Sequence, residues 1–113
     1  MKKYTGAEGA AIDLKDAARW TARYRNEVTN PETARAHMFG NNIIDTLLSQ
    51  QGCVGIRMYY ALNDEGVKQL ILVGVDSEGS DMEEGIVVDS SKVCPPDCAG
   101  GNLLSSGSIA RNP

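Results

Sequence analysis

Residues 52–76, GCVGIRMYYALNDEGVKQLILVGVD, decide the fold. Two long runs rich in β-branched and aromatic residues flank the turn residues Asn63-Asp64-Glu65-Gly66, the pattern of a β-hairpin. Placing Leu62 opposite Val67 pairs Tyr60 with Gln69, Met58 with Ile71, Ile56 with Val73 and Val54 with Val75, which makes one apolar face. Because side chains alternate with a period of two, the other face carries Cys53, Gly55, Arg57, Tyr59 and Ala61 beside Lys68, Leu70, Leu72, Gly74 and Asp76. A tighter turn that pairs Asp64 with Val67 slides the register by two residues and keeps both faces. The sidedness is therefore expected to survive either turn.

Helical patterns precede the hairpin. Asp13 is a good N-cap, and Leu14, Ala17, Ala18, Thr21, Tyr24 and Val28 recur every three or four residues, predicting a helix from Asp13 to about Val28. Asn30-Pro31 reads as a second helix start with proline in the first helical position, running to about Met38. Asn41 or Asn42 caps a further segment, in which Ile43, Ile44, Leu47 and Leu48 form an apolar stripe before Gln51-Gly52 stops it. After the hairpin, Gly85-Ile86-Val87-Val88-Asp89 predicts a third antiparallel strand, and periodicity vanishes from Ser90 onward.

At 113 residues the chain is expected to be one α+β domain. Its parts are an arm over 1–11, a helical region over 12–51, an antiparallel sheet over 52–89 and a Cys/Pro/Gly-rich tail over 90–113. The helices are expected on the Val54, Ile56, Met58, Ile71, Val73 and Val75 face of the sheet.

Composition narrows the function classes. Hydrophobic residues make up 42% of the chain and charged residues 23%, which disfavours disorder and membrane insertion alike. A net charge of −4 argues against nucleic acid as partner, and Lys15, Arg19, Arg23, Arg25 and Arg35 read as a solvated face balanced by neighbouring carboxylates. Glu8 and the glycines of YTGAEGAAID interrupt the apolar run that a secretory leader needs, and no segment has the roughly 20 apolar residues of a membrane span. A cytoplasmic location is expected, and the odd number of cysteines, three, agrees with it.

Four constellations carry candidate chemistry. Cys94-Pro95-Pro96-Asp97-Cys98 supplies two thiols, half of a zinc site, which Cys53 and the sole histidine, His37, would have to complete. The reading preferred for the same loop is a proline-braced turn with free thiols or one local disulfide; its spacing departs from C-x-x-C, and no helix follows to activate a thiolate. Asp76, Glu78 and Asp81 around Gly79 offer alternate oxygen ligands for calcium, although the site falls between strands and a solvated turn explains the acids as well. Gly55 and Gly74, expected to face one another, mark with Arg57, Tyr59, Leu70 and Leu72 a candidate contact surface for a second copy or another protein. His37 has no nearby nucleophile for a dyad, and no phosphate loop, dinucleotide fingerprint, G-x-S-x-G or H-E-x-x-H motif is present.

With its run GCVGIRMYY, the following LVGVD and the CPPDC tail, the chain resembles a group of small bacterial single-domain proteins. The resemblance implies a stand-alone bacterial domain and brings no activity, cofactor or catalytic residue with it. The expectation from sequence is thus a non-enzymatic interaction or self-assembling protein, partnered by itself or another protein. The alternative is a thiol- or metal-dependent protein using Cys94, Cys98 and Cys53.

Overall fold

The structure is a computed structural model and describes residues 2–106. In chain order its elements are α1 (Leu14–Glu27), β1 (Ala36–Met38), α2 (Asn41–Leu48), β2 (Cys53–Leu62), β3 (Lys68–Asp76), β4 (Val87–Val88) and β5 (Lys92–Cys94). The class is α+β. β2, β3 and β4 form a three-stranded antiparallel sheet in that order, and β1 and β5 form a two-stranded one. The described residues divide into two compact units, 2–9 with 37–92 and 10–36 with 93–106.

The hairpin forms where expected, but its turn sets a different register. Asn63 and Val67 close the loop through the Asn63 N–H to Val67 carbonyl bond, 2.9 Å, leaving only Asp64, Glu65 and Gly66 between them. The Asn63 side-chain oxygen accepts the N–H groups of Glu65 and Val67, and Gly66 takes the left-handed conformation, φ 79°, that closes a three-residue hairpin loop. Leu62 therefore pairs with Lys68, Tyr60 with Leu70, Met58 with Leu72 and Ile56 with Gly74. Both turns considered from the sequence have even loops, whereas an odd loop slips the pairing by one residue and exchanges the faces of β3. Ile71, Val73 and Val75 thus leave the face that Ile56 and Met58 occupy, and Leu70 and Leu72 join it. A shift between Cys53 and Gly55 adds a bulge at the start of β2.

α2 covers the resulting face. Leu47 and Leu72, both 0% exposed, form a core with Val88, and Phe39, Ile43, Ile44, Ile56 and Leu70 pack around it. Gly40 rather than Asn41 or Asn42 precedes the helix, and the Ser49 N–H closes it on the Asp45 carbonyl. Gln50, just beyond, fastens the helix end to the sheet. Its amide donates to the Leu47 carbonyl and its oxygen accepts the Ile86 N–H, each at 2.9 Å. Two glycines make room for it: a Cβ on Gly74 would lie 2.8 Å from the Gln50 amide nitrogen, and one on Gly85 would collide with its oxygen.

In the other unit, α1 begins after Asp13 as expected, with Asp16 in its first turn and Arg25 in its last, both favourable to the helix dipole. None of its residues is buried, and Trp20 and Leu14 are exposed. The expected helix from Pro31 to Met38 is absent. Asn30 instead caps a turn, its side-chain oxygen accepting the Glu32 N–H and its carbonyl the Thr33 N–H, and the chain then extends into β1. The stretch after Pro31 has no apolar stripe to reward a helix, so the local side-chain bond wins.

Gly74→Ala is expected to lower the unfolding free energy by about 1–3 kcal/mol, because the added methyl displaces an anchored Gln50. Urea unfolding checks this; an unchanged midpoint would mean that Gly74 lies on an open face.

Candidate functional site

β2 is an edge strand. It is ten residues long, about 33 Å, and only its β3 side is paired within the sheet. Along it runs a groove of about 590 Å³, lined by Val54, Gly55, Ile56, Arg57 and Met58. Val75 of β3, the partner of Gly55, also lines it, so the groove runs beside the edge and reaches over Gly55 onto the sheet. Leu48 of α2 and the arm residues Tyr4, Gly6 and Glu8 also line it.

The α2-covered face runs out toward the hairpin tip. An eight-residue helix is about 12 Å long and spans little more than a third of β2. Met58, Tyr60 and Leu62, which alternate on that same face, are 56%, 94% and 69% exposed. Together the open edge and this apolar row form the candidate site.

The opposite face carries a cluster of polar contacts, with Tyr59 still 47% exposed. Arg57 pairs with Asp81 at 2.5 Å, donates to the Gly79 carbonyl at 3.2 Å and donates to the Tyr4 hydroxyl at 2.9 Å. The Tyr59 hydroxyl donates to the second Asp81 oxygen. The Tyr59 hydrogen bond and then the Arg57 guanidinium hold the Asp81 carboxyl below its ordinary range. The same carboxylate raises the Tyr59 phenol, and its hydrogen bond raises the Arg57 guanidinium.

These placements correct the candidate surface read from the sequence. Gly55 pairs with Val75 and Gly74 with Ile56, so the two glycines do not face each other. Leu72 is in the core, Leu70 packs against it, and Gly74 lies under Gln50, Cys53 and Met82. Arg57 and Tyr59 are committed to Asp81. The one-residue slip accounts for this outcome, since it moves Leu70, Leu72 and Gly74 beneath α2.

The metal candidates separate as well. Cys94 and Cys98 are joined by a disulfide, which removes the two thiolates that a zinc site requires. Cys53 is a free thiol directed to the Gly55 carbonyl, and His37 shares a 2.9 Å hydrogen bond with the Ser91 hydroxyl through Nδ1, its pKa lowered by burial. The calcium candidates likewise have partners within the protein. Asp76 accepts the N–H groups of Glu78 and Ser80, which makes it the cap of a turn, while Asp81 is taken by Arg57 and Tyr59. Among the described residues no three of His, Cys, Asp and Glu converge on a metal position.

Gln50 and Tyr4 escaped the sequence reading. A lone glutamine at a helix end and a tyrosine in a glycine-bearing arm carry no local signal. The only pointer lay in glycines at Gly74 and Gly85, which marked a close approach without naming the visitor.

Compared with protein-family models, curated proteins and solved structures, the chain matches none. Among the described residues no helix is long and apolar enough to cross a membrane. The functional reading therefore rests on the geometry of the site.

Asp81 gives the folded state a pH dependence with a definite sign. Its carboxyl is depressed from about 3.8, so its stabilising effect is complete above that value and is lost as pH falls through the lower, folded-state pKa. Between about pH 5 and pH 2, the parent should lose more stability than Asp81→Asn in denaturant titrations. Parallel profiles for the two proteins would contradict the assignment.

Proposed function

We propose that this chain is a non-enzymatic interaction protein that self-associates, the open edge of β2 pairing antiparallel with β2 of a second copy. The observation that carries the reading is the coincidence of a ten-residue unpaired edge with the exposed alternate row Met58, Tyr60 and Leu62. Unpaired strand edges are templates for another strand, and folded proteins ordinarily blunt them with charge, proline or brevity. β2 has no proline, and its one charged residue, Arg57, is occupied by Asp81. A two-fold pairing of identical edges satisfies the ladder on both sides and sets two apolar rows side by side.

A second protein offering an extended segment would use the same edge, and the symmetric partner is preferred because it brings a matching apolar row. The thiol-dependent alternative lacks a comparable observation, since Cys94 is buried and bridged to Cys98. That bridge also bears on location: such bonds persist in oxidising compartments, which favours one over the cytoplasmic setting expected from the sequence.

Multi-angle light scattering across a concentration series is expected to give twice the single-chain mass for the parent. Tyr60→Lys, at a position where nothing in the fold depends on the ring, is expected to shift the protein to single-chain mass with an unchanged circular dichroism spectrum. A parent that stays at single-chain mass at every concentration overturns the reading.

A further inference from the structure

The N-terminal arm lies against the same edge without being part of its ladder. The Lys3 and Tyr4 N–H groups both donate to the Ser77 carbonyl, at 2.6 and 2.8 Å, and the Tyr4 hydroxyl accepts from Arg57. Arg57 also sits 5.6 Å from the centre of the Tyr4 ring, within cation–π range. Beyond that anchor the arm satisfies itself. The Thr5 and Gly6 N–H groups donate to the Glu8 carboxylate, and the Ala7 N–H donates to the Thr5 hydroxyl. At Gly6 the arm passes so close to β2 that a Cβ there would lie 3.3 Å from the Val54 carbonyl oxygen.

From this arrangement we infer that residues 3–8 are a strap over the first half of β2's edge, and that a second copy pairs with the whole strand only when the strap lifts. This inference rests on the edge-pairing reading and assigns the arm a regulatory part in it. Two features make the strap releasable. Its local turn leaves the outer ladder groups of Val54 to Met58 unbonded by the arm, so lifting it breaks no sheet hydrogen bond. Its attachment is confined to its first residues, two backbone N–H groups on the Ser77 carbonyl and the Tyr4 hydroxyl on the Arg57 guanidinium. A protein whose binding-competent form is only partly populated has its apparent affinity reduced by that fraction, so loosening the strap strengthens association.

The test compares dimer dissociation constants, by sedimentation equilibrium of the full chain, for the parent, Tyr4→Phe and a locked variant. Tyr4→Phe removes the acceptor of Arg57 and keeps the ring; losing one part-buried hydrogen bond eases release of each arm about fivefold, so a dimer in which both arms lift is expected to tighten about 25-fold. The locked variant carries Gly6→Cys and Val54→Cys in a Cys53→Ser background. The two Cβ positions lie 4.0 Å apart, inside the span of a disulfide. Once oxidised it is expected to dimerise at least about tenfold more weakly than the same variant with both new thiols alkylated. A parent that dimerises while Tyr4→Phe and the locked protein match it overturns the strap and leaves the edge reading standing. If instead Tyr4→Phe weakens the dimer, the arm is part of the interface and the inference is wrong. A parent at single-chain mass throughout removes the edge reading, and the strap with it.

Discussion

The three-residue turn at Asp64, Glu65 and Gly66 constrains everything around it. With an odd loop, Met58 meets Leu72 and Tyr60 meets Leu70, so the two leucines of β3 join the side-chain row of β2 that faces α2. One more or one fewer residue in that loop would send Leu70 and Leu72 to the opposite side. The core of the unit, Leu47 against Leu72 and Val88, exists only in this register. So does the burial of Gly74, which must lie inward to admit the Gln50 side chain.

From that register the site follows by simple lengths. α2 is too short to shield a strand of ten residues, and what it leaves uncovered is the tip half of β2, where Met58, Tyr60 and Leu62 point outward. The other half of the strand is not bare in the same way, because the arm crosses beside Val54 and is tied through Tyr4 to Arg57. One arginine thus pairs with Asp81 on the far face of the sheet and holds the arm through Tyr4. In the proposed self-association the two halves of β2 would divide the work, the tip providing apolar attraction and the base control over access to the ladder.

Much of this was legible in the sequence where local chemistry decides the outcome. The hairpin, the start of α1 after Asp13, the apolar stripe of α2 and the β-branched Val87-Val88 strand all announce themselves through spacing and boundary residues. What was not legible depends on contacts distant in sequence or on the parity of a loop. Asn63-Asp64-Glu65-Gly66 is compatible with several closures, and the Asn63 side chain, by accepting two backbone N–H groups, selects the odd one. The Pro31 helix failed because a start signal without an apolar stripe behind it is only a turn. β5 was hidden because Lys92-Val93-Cys94 is too short to show alternation and its neighbour, β1, lies more than fifty residues earlier. Gly55 and Gly74 do not face each other because of the slipped register, whereas Met58, Tyr60 and Leu62 keep the face expected of them and are exposed because α2 is too short to reach them.

Nuclear Overhauser contacts between backbone protons across β2 and β3 test that register most directly. They are expected to connect Met58 with Leu72 and Tyr60 with Leu70. Contacts that instead connect Met58 with Ile71 and Tyr60 with Gln69 would put Leu70 and Leu72 on the opposite face, empty the core beneath α2 and contradict the account.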